Sequence, residues 1–105
     1  MHCKRAWLLA AVLTAAGPAA AAADLSVALK AASCNACHGP GGASIAGIPP
    51  LAGRAADELA GALLDFKHGR RRGTVMQRHA RGYSDDELRA IAAEFARQDP
   101  EREKK

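Results

Sequence analysis

Cys34-Asn35-Ala36-Cys37-His38 is the stretch on which the reading of this 105-residue chain turns. Two thiols three residues apart, with an imidazole directly after the second, form the attachment signature of a c-type haem. The spacing has a physical reason: the two sulfurs reach the two vinyl groups on one porphyrin edge, and the adjoining histidine is carried under the ring as the proximal iron ligand. Cys34 and Cys37 are therefore assigned to attachment and His38 to iron. Two other uses of the motif stand beside this one. A redox-active dithiol belongs in a strand-helix-strand setting, and no strand pattern is visible here. A structural zinc site needs four ligands, usually as two pairs, whereas beyond the motif residues 24–105 offer only the scattered His68 and His79.

The amino terminus has the build of an export signal. Met1-His2-Cys3-Lys4-Arg5 is basic, residues 6–16 are apolar and include Trp7, Leu8, Leu9, Val12 and Leu13, and an alanine tract follows Gly17-Pro18. Small residues at Ala21 and Ala23 place cleavage before Asp24, making residues 1–23 a cleaved secretory signal peptide and the destination periplasmic. A retained anchor is the alternative, but the apolar run falls short of the ~20 residues that span a bilayer. Cys3 precedes the run and leaves with the signal.

Removal of residues 1–23 leaves 82 residues, too few for a large conventional core. They divide into one domain, 24–99, and a charged tail, 100–105. The only aromatics are Phe66, Tyr83 and Phe95, so one bound haem would supply much of the buried apolar surface. Thirteen Lys and Arg against eleven Asp and Glu give this part +2, a balance that does not suggest nucleic-acid binding.

Three amphipathic helices are expected. The first covers residues 25–33, with Leu25, Ala28, Leu29 and Ala32 on one buried face, and delivers Cys34 to the haem edge. The second covers residues 56–68, with Leu59, Leu63 and Phe66 as its stripe and Gly69 as its stop. Ser84 and Glu87 form a capping box that starts the third, which presents Leu88, Ile91, Ala92 and Phe95.

Between the helices lie two irregular segments. Residues 39–53 hold five glycines and three prolines and read as a loop around the proximal side of the ring, or as a simple linker. Residues 70–82 read as a second loop, and they carry Met76, the only thioether in residues 24–105. A six-coordinate iron needs a second axial ligand, and Met76 is assigned to it. His79, beside Arg78 and Arg81, is read as solvated; its alternative is to displace Met76 and give bis-histidine iron of lower potential. His68 is read as a charge favourable to a helix C-terminus. Lys67, Arg70, Arg71, Arg72, Arg78 and Arg81 surround the Met76 segment, with no acidic residue between His68 and Tyr83. Such a rim either steers an acidic redox partner or is an ordinary solvated loop.

Beyond the motif, Pro49-Pro50-Leu51-Ala52-Gly53 matches the P-x-L-x-G segment of class I cytochromes c, and the chain resembles that family over nearly all of residues 24–105. The resemblance implies a small all-α fold around one covalent haem c, a Pro49 carbonyl that orients His38, and a Leu51 that lines the pocket. A narrower similarity lies in Phe66-Lys67-His68-Gly69, in residues 74–84 and in Glu94-Phe95, which look like the haem domain of the cytochrome subunit of flavocytochrome c sulfide dehydrogenase. Small c553- and c4-type cytochromes are also similar. In the sulfide dehydrogenase subunits the methionine of the matching T-x-M stretch is the axial ligand, again pointing to Met76.

The sequence thus leads to a one-electron carrier rather than an enzyme, with electrons coming from a sulfide-oxidising flavoprotein subunit. A freely diffusing carrier to a terminal oxidase or reductase is one alternative. A haem sensor or peroxidase with an open iron position is another.

Overall fold

The computed structural model describes residues 11–14 and 17–101. The basic start of the export signal, most of its apolar run and the last four residues of the tail lie outside these. Among the described residues there is no strand: the order is α1 (Pro18–His38), a 3-10 turn (Pro40–Gly42), α2 (Ala56–Lys67), α3 (Met76–Ala80) and α4 (Asp85–Ala96). No helix among them is long and apolar enough to cross a membrane.

α1 is longer than the periodicity predicts. Pro18 stands in its first turn after Gly17, where a missing N–H costs nothing, and alanines carry the helix onward because they lose least entropy in it. The helix then continues through the whole Cys34-to-His38 motif and stops at Gly39, whose φ of 84° suits glycine and whose N–H donates to the Asn35 carbonyl at 2.9 Å.

The expected buried face of α1 is corrected. Leu25 and Leu29 are 61% and 64% exposed, and Ala32 is exposed as well. The stripe that turns inward is instead Ala31, Cys34 and His38, spaced three and four apart as one helix face requires. Ala31 belongs to the core with Leu59, Ile91, Ala92 and Phe95, and Cys34 packs against it. A single helix can lay only one stripe on its neighbours, and the motif occupies that stripe.

α4 meets expectation: Leu88, Ile91, Ala92 and Phe95 are all buried. The Ser84 side chain accepts from the Glu87 N–H at 3.1 Å, one half of the expected box. The Glu87 carboxylate pairs across to Lys30 of α1 at 3.5 Å. α2 buries only Leu59 fully, while Leu63 and Phe66 stay half-buried.

The expected 70–82 loop contains a fourth helix, the five-residue α3. The Val75 carbonyl accepts from both the Arg78 and His79 N–H groups, at 3.0 and 3.2 Å, the Gln77 side chain donates back to the Gly73 carbonyl at 2.7 Å, and Ala80 is buried at 1% exposure. One turn and a half is too short for hydrophobic periodicity to register.

Candidate haem site

His38 ends α1 and is buried. Its Nδ1 lies 2.7 Å from the Pro49 carbonyl oxygen. A carbonyl can only accept, so Nδ1 carries the proton and donates, leaving Nε2 as the nitrogen with a lone pair for a metal. The expected partnership of His38 and Pro49 is therefore present.

Gly42, to which no sequence motif draws attention, makes this geometry possible. Its carbonyl accepts from the Leu51 and Ala52 N–H groups at 2.7 and 3.1 Å, pinning the Pro49–Gly53 stretch against the end of α1. It has φ +75°, and a Cβ there would come within 2.7 Å of the Phe95 ring. The Gly41-Gly42 pair is its one signal in the sequence. Leu51 is half-buried and packs against the core. Ser44 closes the turn: its N–H donates to the His38 carbonyl at 2.6 Å and its hydroxyl to the Ile48 carbonyl.

Cys34 and Cys37 are free thiols, the first half-buried and the second exposed. Burial pushes the Cys34 thiol above its ordinary pKa, outweighing its hydrogen bonds. A redox dithiol depends on the opposite shift, toward thiolate. Among the described residues no group of three or more His, Cys, Asp and Glu side chains could hold a metal, so a zinc knuckle finds no ligand cluster.

Cys34 and Met76 meet at one apolar cleft. Cys34 comes from α1, Leu63 from α2, Met76, His79 and Ala80 from α3, Tyr83 from the turn before α4, and Leu88 and Ile91 from the face of α4. Cys37 and His38 are not among these wall residues. A second cleft, of about 210 Å³ between α1 and α4, holds none of the sulfur or imidazole donors. Two unlinked thiols, an imidazole with its Nδ1 already committed and a thioether on an apolar wall are a donor set that fits a covalently held haem.

The basic rim is thinner than its composition suggests. Lys67 pairs with Asp85 at 2.7 Å and Arg70 with Asp65 at 2.8 Å, and the Arg71 guanidinium lies 5.0 Å from the centre of the Phe66 ring. Arg72, Arg78 and Arg81 are exposed and make no ion pair with a described residue.

A single-haem c-type cytochrome is the class of protein that this helical fold and the Cys34–His38 motif define. The family model described as "Cytochrome C oxidase, cbb3-type, subunit III" matches residues 20–93, and the chain belongs to that family of c-type cytochromes, electron-transfer proteins with covalently bound haem c. It is 46% identical over 63 residues to the cytochrome subunit of sulfide dehydrogenase of Chlorobaculum tepidum, covering 60% of this chain and 57% of that one. To the thiosulfate dehydrogenase electron acceptor of Stutzerimonas stutzeri it is 43% identical over 67 residues, covering 60% and 31%. Cytochrome c-554(548) of Halomonas halodenitrificans is 36% identical over 88 residues, which cover 80% of this chain and all of that protein. The chain thus spans less than two thirds of the first two relatives.

Proposed function

We propose that this chain is a periplasmic one-electron carrier that accepts electrons from a sulfide-oxidising flavoprotein subunit. Cys34 and Cys37 would hold a haem c through thioether bonds, and His38 and Met76 would supply its two iron ligands. So held, the group would supply one-electron chemistry with no coordination position open to substrate. The observation that carries the reading is the apolar cleft at which the Cys34 thiol and the Met76 thioether meet.

The protein's own part is to hold and tune. The bond from His38 Nδ1 to Pro49 keeps the imidazole in one tautomer and strengthens Nε2 as a donor, a direct lever on potential. Leu63, Leu88 and Ile91 wall the cleft and keep water from it. The donor assignment rests on the similarity to the sulfide dehydrogenase cytochrome subunit.

Export as a cleaved precursor is supported by burial: residues 11–14 and 17–26 are all exposed, so loss of the described residues before Asp24 strips away no packed side chain. The domain proper is 24–99, followed by the charged tail 100–105.

Full coverage of cytochrome c-554(548) favours a second reading, a freely diffusing carrier of single-domain size. Gel filtration of untagged protein from its native host, followed by haem and flavin absorbance, separates the two. Co-elution of flavin supports the subunit; haem alone at monomer size supports the free carrier.

A further inference from the structure

The described part of the chain carries three imidazoles, and two of them are committed. His38 is bonded to the Pro49 carbonyl. His68 Nε2 lies 3.1 and 3.2 Å from the two Asp85 carboxylate oxygens. The His79 side chain makes no hydrogen bond or ion pair with any described residue, yet His79 lines the same apolar cleft as Cys34 and Met76. His79 is exposed, as a solvated reading expects, and it reaches this cleft as well.

We propose that His79 is a reserve axial ligand that takes the iron when Met76 leaves it. This rests on the assignment of Met76 as the resident ligand. Both residues belong to α3. Three positions apart on a helix of 3.6 residues per turn, they point roughly 60° from one another around its axis, so they share the face that meets the cleft. α3 is only five residues long and lies between Gly73 and Gly82, so a small turn of this element exchanges the two side chains without unfolding α2 or α4. Of the other cleft residues with a donor atom, Cys34 is assigned to the ring, and the Tyr83 hydroxyl is engaged 3.3 Å from the Ser33 hydroxyl.

The consequence is a cytochrome that stays six-coordinate after losing its thioether. Replacement of a thioether by an imidazole lowers the potential, so the exchanged form holds its electron less tightly while still denying the iron to small exogenous ligands. No electron or proton is consumed in the exchange: one iron–sulfur bond breaks and one iron–nitrogen bond forms.

The test compares haem-loaded wild type, Met76→Ala, Met76→Ala/His79→Ala and Met76→Ala/His68→Gln in the ferric state, by electron paramagnetic resonance, near-infrared spectra and the rate of cyanide binding. Met76→Leu replaces Met76→Ala throughout if the alanine variant does not mature. The expected result is that Met76→Ala remains low-spin with a bis-imidazole signature, that His68→Gln leaves this unchanged, and that adding His79→Ala makes the iron high-spin and speeds cyanide binding by an order of magnitude or more. A Met76→Ala protein that is already high-spin, with cyanide binding indifferent to His79, overturns the proposal, as does a bis-imidazole signature that depends on His68. The sulfur-to-iron charge-transfer band of the wild type reports separately on Met76: its absence refutes that assignment while the double variant still reads His79.

Discussion

At the residue scale, the site is governed by what each side chain leaves unused. Proline supplies a carbonyl but no N–H, so Pro49 can meet His38 Nδ1 only as an acceptor, and the tautomer follows. Met76 offers a soft sulfur on an apolar wall. Met76→Ala is expected to lose the sulfur-to-iron charge-transfer band and to lower the reduction potential, read by visible spectroscopy and redox titration; a persisting band refutes the ligand assignment. Gly42 has no such chemistry but has a conformation and a neighbour that exclude a side chain. Gly42→Ala forces strain against the buried Phe95 ring, and is expected to cost about 1–3 kcal/mol in denaturant unfolding of the holoprotein.

At the element scale, the Met76 segment is held at both ends. It leaves α2 after Lys67 and His68 and enters α4 at Asp85, and these three side chains form one ion cluster, with Lys67 Nζ 2.7 Å from Asp85 Oδ1. Hydrogen bonds from Lys67 and then His68 hold the Asp85 carboxyl below its usual range. A carboxylate with a depressed folded pKa contributes stability that is present above its unfolded pKa, about 3.9, and is lost as the pH falls through the folded value. Asp85→Asn is therefore expected to loosen the Met76 segment at neutral pH, lowering the denaturant concentration at which the charge-transfer band disappears, and to match wild type once the pH lies below both values. An equal gap between the two proteins at all pH values contradicts this. The cap beside it acts independently of acid: Ser84→Ala removes the acceptor for the Glu87 N–H and is expected to cost about 1 kcal/mol by thermal or denaturant unfolding.

At the scale of the whole molecule, the protein core is small. Among the described residues eight apolar side chains are buried in it, and four of them, Ala31, Ala52, Ala80 and Ala92, are alanines, which contribute little buried area each. The chain prepared without haem is accordingly expected to show much reduced helix by far-ultraviolet circular dichroism and no cooperative thermal transition; a cooperative, fully helical apoprotein refutes the dependence. Charge acts at this scale as well. With Lys67 and Arg70 already paired, steering falls to Arg72, Arg78 and Arg81. Replacement of these three by Gln is expected to slow electron transfer with an acidic partner at low salt and to flatten its dependence on ionic strength, measured by stopped-flow mixing.

Chemistry set by neighbours in the chain is legible in the sequence itself. Cys34, Cys37 and His38 are bound together by their spacing, and the helices α2 and α4 announce themselves through apolar residues at helical intervals and, for α4, the Ser84 cap. Pro49 and Leu51 belong to a segment pattern whose contact with His38 the fold supplies. What the sequence could not contain is the outcome of competition between elements. α1 carries two plausible apolar stripes, and only packing against α4 decides that Ala31 and Cys34 turn inward while Leu25 and Leu29 remain outside. α3 is too short to show a period, so its helix depends on the Val75 carbonyl, on Gln77 and on the burial of Ala80. Gly42 looks unremarkable in a linear reading and His79 could be read there either way, because the ring beside one and the cleft beside the other are built from residues distant in sequence. Local spacing determines which atoms can act together on one turn of helix; long-range packing alone determines which of them face a common space.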